Sequence, residues 1–212
     1  MHKVADSRVY SFHDYKAVST QQWTEGRQIT LEQCKLVLDR MLPACGYPLT
    51  ARIEHAQPSG ATWLLSWRPE HRGVPFAAHY QMGTAQLDCE TGRPEAIYFP
   101  TLLWPPDDLG AAVTPEGARS VMLAEAFRRG TVEFVWKQEP LKAIAWKDDK
   151  DEPDRHAWKD KRWVDCPRGV VAYEGILTDS VNKTTGGYPL SLTFHVDGKT
   201  GAVLRVLDNR DE

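Results

Sequence analysis

The pattern Asp-x-x-Thr-Gly is written twice in this chain, in "LDCETG" (87–92) and in "HVDGKTG" (195–201), with the two aspartates 109 positions apart. Each copy leads into an apolar stretch. A short turn of fixed spacing constrains a fold more tightly than composition does. An Asp at the end of a strand accepts hydrogen bonds from backbone N–H groups two or three residues on, and Thr does so more weakly. Gly supplies the positive φ that other residues avoid. Such a turn sets the register of a hairpin. Asp88, Thr91, Gly92, Asp197, Thr200 and Gly201 are therefore read as structural turn residues. Calcium is the alternative use of the two aspartates. One carboxylate per turn falls well short of the roughly six to eight oxygens that this ion takes.

A segment with helical spacing stands upstream of each turn. "TLEQCKLVLDRML" (30–42) places apolar residues at Leu31, Cys34, Val37, Leu38, Met41 and Leu42. Thr30 and Gln33 form a capping-box pair. "TPEGARSVMLAEAFRRG" (114–130) opens on Thr114 as N-cap with Pro115 as first helical residue. It closes with Arg128 and Arg129 at the negative helix end and Gly130 just beyond it. Strand-like runs follow both. In the first half "LTARIEHA" and "ATWLLSW" are separated by Pro58-Ser59-Gly60, a hairpin signal, and are followed by "FAAHYQM", "TAQLD" and "EAIYF". In the second, "VEFVWK" and "LKAIAW" are split by Gln138-Glu139-Pro140, and "GVVAYEGILT", "YPLSLTFHVD" and "AVLRVLD" follow. Each half thus reads helix, hairpin, then further antiparallel strands closed by the repeated turn.

This order predicts an α+β fold of two tandem repeats, each with one helix packed on an antiparallel sheet. The boundaries are an N-terminal extension 1–29, a first repeat 30–100, a linker 101–113, a second repeat 114–208 and a tail 209–212. The second repeat is longer because of "KDDKDEPDRHAWKDKRW" (147–163), with six acidic and six basic side chains around Pro153. A segment so charged has little apolar area to offset its ordering entropy, and is expected to be a mobile surface excursion within a hairpin.

Charge and motif content narrow the function classes. The net charge of −3 is spread over interspersed acids and bases, so nothing points to nucleic acid. No apolar run reaches the roughly 18 residues of a membrane span. "MHKVADSRVYSF" lacks the apolar region of a signal peptide. Cys34, Cys45, Cys89 and Cys166 form no C-x-x-C pair; four reduced thiols are the plainer reading and one or two disulfides the other. No phosphate-binding, dinucleotide-binding, zinc-protease or nucleophile-elbow motif occurs. His71, His79 and His195 are dispersed, and no spacing supports a metal site or a Ser66–His79–Asp88 triad. No catalytic residue, metal or cofactor is assigned. Eight tryptophans are many for 212 residues. Most should be core. Trp63 and Trp67 fall on one face of a strand and Trp104 sits in the linker; these three are the candidates for an aromatic contact with a partner.

The pattern resembles tandem PepSY-type domains. That family pairs a helix beginning Thr-x-Glu-x-Ala with a hairpin ending in Val-Asp-x-x-Thr-Gly-x-Val. Thr114-Pro115-Glu116-Gly117-Ala118 and the run from Val196 to Val203 match it well. The first half departs from it, with Cys34 in place of the Ala and Pro94 in place of the last β-branched residue. The resemblance spans roughly 30–208. It implies a helix lying across a curved antiparallel sheet and a non-catalytic module of the kind found in protease propeptides and cell-envelope proteins, and so a location in the envelope or outside the cell. The expected function is a binding or regulatory module, protease-inhibitory or propeptide-like, that engages a peptide or protein through a sheet edge or groove. An enzyme or small-ligand protein with a pocket in an open sheet is one alternative, and a structural piece of an envelope assembly is the other. The sequence leaves the partner and the oligomeric state unassigned.

Overall fold

In the computed structural model the described residues are 11–13, 29–44, 49–77, 82–99, 103–147, 168–183 and 187–209. They divide into two compact units, one of the described residues within 11–99 and one of those within 103–147 and 168–209.

The first unit contains β1 (Ser11–His13), α1 (Leu31–Ala44), β2 (Thr50–Ser59), β3 (Thr62–His71), β4 (Val74–Pro75), β5 (Gly83–Asp88) and β6 (Pro94–Tyr98). Its antiparallel sheet runs β1-β6-β5-β3-β2, with β4 paired to β3. The second unit contains α2 (Pro115–Arg128), β7 (Phe134–Ala145), β8 (Val170–Lys183), β9 (Pro189–Asp197) and β10 (Val203–Asp208). Its sheet runs β10-β9-β8-β7, again antiparallel throughout. Setting α1 beside α2 matches β2, β3, β5 and β6 to β7, β8, β9 and β10 in the same order. The chain is thus α+β, with one helix and one antiparallel meander in each repeat. β1 and β4 belong to the first unit alone.

Local chemistry explains both helices. The Thr30 amide donates to Gln33 Oε1 at 2.7 Å, and the Gln33 amide donates to Thr30 Oγ1 at 3.2 Å. This reciprocal pair satisfies two of the backbone groups orphaned at a helix start. Thr114 Oγ1 accepts from the Gly117 amide at 3.1 Å with Pro115 in the first helical turn. At the other end of α2, Gly130 has φ +87°, and the Thr131 and Gly130 amides donate to the carbonyls of Ala126 and Phe127 at 3.0 Å each. That is the glycine-terminated stop expected of the sequence. α1 buries Cys34, Leu38 and Leu42, and α2 buries Ala118, Met122 and Ala126, each one residue per turn. The α2 stripe packs on Tyr173 and Leu177 of β8 and Leu192, Phe194 and Val196 of β9.

One expectation fails. Gln138-Glu139-Pro140 does not turn the chain. β7 runs through it as a single edge strand with register shifts between Trp136 and Gln138 and between Gln138 and Leu141. Proline lacks the N–H of a ladder bond and is accommodated on an edge at an irregularity. Gln138 offsets part of the loss by donating its side-chain amide to Glu174 O at 3.3 Å and Glu174 Oε1 at 3.1 Å. The counterpart of the β2–β3 hairpin is therefore β7–β8, and the charged segment falls between these two strands. Residues 148–167, and with them the expected excursion, lie outside the described residues.

Trp67 anchors the first core, with no exposed surface and Phe99 edge-on at 6.0 Å. Gly83, its cross-strand partner, lets the indole lie flat on the neighbouring backbone. A Cβ there would stand 2.3 Å from Trp67 Cε2. Gly83→Ala is expected to destabilise the chain by about 2 kcal/mol or more, because an enclosed indole has no free space into which to retreat. Urea denaturation of the two proteins measures it; an unchanged midpoint would mean the sheet moves aside freely at Gly83.

Candidate functional site

The two repeated turns have the same geometry. Asp88 Oδ1 accepts from the amides of Glu90 at 3.2 Å and Thr91 at 2.7 Å, and Asp197 Oδ1 accepts from those of Lys199 at 2.7 Å and Thr200 at 2.8 Å. Gly92 and Gly201 have φ of +70° and +75°, and each donates its amide to the carbonyl of its own Asp at 2.9 Å. Thr91 and Thr200 Oγ1 accept from the amides of Arg93 and Ala202, both at 3.2 Å. The side chains that recur in sequence are thus spent on the turn itself.

The turn also holds the helix. The Cys89 carbonyl accepts the Ile29 amide at 2.7 Å, and the Gly198 carbonyl accepts the Val113 amide at 2.9 Å. Ile29 and Val113 each stand just before an N-cap threonine. Their own carbonyls are taken by aromatic donors at matching places on β3 and β8: Trp63 Nε1 at 3.1 Å and Tyr173 OH at 2.9 Å. Their side chains close over the turn glycines. A Cβ on Gly92 would lie 3.1 Å from Ile29 Cδ1, and one on Gly201 would lie 3.6 Å from Val113 Cγ2. Trp63 is thus half-buried and fixed by its indole N–H, Trp67 is fully enclosed, and Trp104 is half-buried in the second unit, where its carbonyl accepts the Gly169 amide at 2.8 Å. No described tryptophan is exposed.

The first unit has a cleft of about 350 Å³ lined by Asp39, Pro43, Leu49, Thr50, Glu70, His71 and Arg72. Asp39 in this lining serves the fold: it accepts from the Ala51 amide at 2.8 Å and from Lys35 Nζ at 2.6 Å. A second polar cluster escapes sequence reading. Glu174 and His195 are cross-strand neighbours on β8 and β9, almost wholly buried, with His195 Nε2 at 3.4 Å from Glu174 Oε2. An acid inside the apolar run "VVAYEGIL" was the available signal, but naming its partner needs the strand register. Among the described residues no group of three or more His, Cys, Asp or Glu is placed to hold a metal ion. No helix of the described residues is long and apolar enough to cross a membrane.

The sheet edges differ in chemistry. β2 carries Pro58 and a register shift between Ile53 and His55, and β7 carries Pro140 and its two shifts. Prolines and bulges blunt an edge against further pairing. The outer edge of β6 is taken by β1, with Ser11, Phe12 and His13 opposite Tyr98, Ile97 and Ala96. β10, the counterpart of β6, ends its sheet among the described residues; it has a register shift between Val203 and Arg205 and contains no proline.

No family model matches the chain, and no curated protein matches it. Among solved structures it is similar to the Bacillus megaterium YpeB C-terminal domain, with 11% identity and a TM-score of 0.42 over 89% of this chain and 68% of that one.

Two sets of variants probe the junction between turn and helix. Trp63→Phe and Tyr173→Phe should each cost about 1 kcal/mol, the usual loss for one partly buried hydrogen bond. Equal effects in thermal melts are expected; a silent Tyr173→Phe would mean that water replaces the hydroxyl at Val113. Gly201→Ala should cost about 1 kcal/mol or more, because alanine resists positive φ. Added calcium should leave the melting temperature unchanged, and a calcium-dependent rise lost in Asp197→Asn would turn the structural reading of Asp197 into a binding one.

Proposed function

We propose that the chain is a non-catalytic binding module whose second sheet takes up an extended segment of a protein or peptide partner along β10. The observation behind this reading is the unequal use of two matching edges. In the first unit a segment from the chain's own N-terminal region adds to β6 as an antiparallel strand. In the second unit β10 has the same place in the strand order and, among the described residues, pairs with β9 alone. β-addition supplies affinity through main-chain hydrogen bonds and specificity through alternate side chains.

The chemistry of β10 favours an apolar, alternating segment. Val203, Leu204, Val206 and Leu207 make up most of it, with Arg205 and Asp208 as its charges. The Asn209 amide donates to Ser191 O at 3.2 Å, which fixes the phase of the ladder and leaves the Val206 amide directed away from β9. The resemblance to PepSY-type modules extends the proposal to a propeptide-like or protease-inhibitory partner and to a place in the cell envelope.

Titration with short extended peptides of alternating apolar residues, read by hydrogen exchange, tests the edge. Binding should slow exchange of the Val206 amide about tenfold or more at saturation and leave β2 and β7 amides unaffected. Protection confined to β2 or β7, or no binding up to millimolar peptide, would sink the assignment of β10.

A further inference from the structure

Cys34 and Cys89 are both free and both buried, at 0% and 2% exposure. Their positions make them a pair. The Cys34 amide donates to Thr30 O at 3.0 Å in the first turn of α1, and the Cys89 carbonyl accepts the Ile29 amide at 2.7 Å. The two residues are therefore bonded to the consecutive residues 29 and 30, one from the helix and one from the β5–β6 turn. The turn also lies on the helix face that carries Cys34. A Cβ on Gly92 would be 3.5 Å from Val37 Cγ2, and Val37 is three residues, one helical turn, beyond Cys34.

The second unit shows what this junction ordinarily holds. Counting from the N-cap threonines, Cys34 corresponds to Ala118; counting from the turn aspartates, Cys89 corresponds to Gly198. Ala118 is wholly buried, and a Cβ on Gly198 would come within 3.0 Å of Val171 O. Both places suit very small residues. In the first unit both carry cysteine, the small side chain that can also make a covalent cross-link.

We propose that Cys34 and Cys89 are a redox pair, forming a reversible disulfide that staples the first turn of α1 to the β5–β6 turn. With a low-molecular-weight disulfide as oxidant, one protein thiolate attacks it, giving a mixed disulfide and releasing one small thiol. The second thiolate then attacks the protein sulfur of that mixed disulfide and expels the other small thiol. Two protein thiols lose two electrons and two protons, and the reagent disulfide is reduced to two thiols. Burial, with the neighbouring Cys89 next, pushes the Cys34 thiol up to about 11. Burial, followed by the Asp88 and Glu95 carboxylates, raises that of Cys89. Both groups are thus protonated at neutral pH, and the folded pair reacts slowly. Below the raised values the thiolate fraction grows about tenfold per pH unit, and the rate grows with it.

The test uses the full chain with Cys45→Ser and Cys166→Ser, incubated with oxidised glutathione between pH 7 and 9, alkylated, digested and read by mass spectrometry. The expected product is a peptide linked through Cys34 and Cys89, formed about tenfold faster per pH unit. Its formation should raise Tm by about 5–10 °C, reversibly on reduction. Cys34→Ala with Cys89→Gly, the residues of the second unit, should fold and show neither the link nor the shift. Glutathione adducts on either cysteine without the link, no reaction within a day at pH 9, or a link that leaves Tm unchanged or lower would each overturn the proposal.

Discussion

Each repeat depends on a backbone clasp between the residue before the helix and the turn of the last hairpin. Ile29 donates its amide to Cys89 O and its carbonyl accepts from Trp63 Nε1; Val113 donates its amide to Gly198 O and its carbonyl accepts from Tyr173 OH. An isolated helix of this length is marginal in water, because nucleation is costly and each end leaves backbone groups unsatisfied. The clasp fixes the helix start on the sheet and satisfies the groups just outside the cap. The stripe of one buried residue per turn then lands on the strands that the same turn has placed in register. The Asp-x-x-Thr-Gly turn therefore recurs with different neighbours because it holds the hairpin and the helix together.

Much of this was legible in the sequence, and the rest was not, for identifiable reasons. Capping residues and turn glycines act within four or five positions, so Thr30, Gln33, Thr114, Gly130 and both Asp-x-x-Thr-Gly turns could be read directly. The aromatic bonds of the clasp span 34 positions in one case and 60 in the other, and a Trp does in one repeat what a Tyr does in the other. No periodicity connects those two residues. β7 was misread because Gln-Glu-Pro is a turn signal unless an edge strand absorbs the proline, and edge status is a property of the finished sheet. The pairing of Glu174 with His195 depends on register, as does the enclosure of Trp67, which a same-face argument places beside Trp63 without saying how deeply.

The repeats also differ where their frames agree. Thr62 stands opposite Asp88 as Ala172 stands opposite Asp197, so Leu64 and Gln86 occupy the places of Glu174 and His195. Leu64 and Gln86 are exposed, whereas Glu174 and His195 are buried. Burying an acid and an imidazole carries a desolvation cost that their attraction only partly offsets. Removing Glu174 would take from His195 its cross-strand acid, whereas Glu174 without His195 would keep the Gln138 amide. Glu174 and His195 therefore bind the identity of one strand to that of its neighbour, a constraint the exposed pair in the first unit does not impose.

Edge chemistry follows the same logic of divergence on a shared frame. A meander has two free edges, and a chain that duplicates it must manage four. β2 and β7 meet the need with proline and bulges; β6 is covered by a strand of the same chain; β10 has a register shift between Val203 and Arg205 but no proline and, among the described residues, no covering strand. Unpaired edge amides and carbonyls satisfied only by water template pairing with whatever extended chain is near. A proline-free edge of mostly aliphatic residues is therefore a liability in a module that has no use for it. Beside two edges that carry proline and one covered by a strand, the part of β10 beyond its shift is the place among the described residues where an added strand would encounter the least resistance.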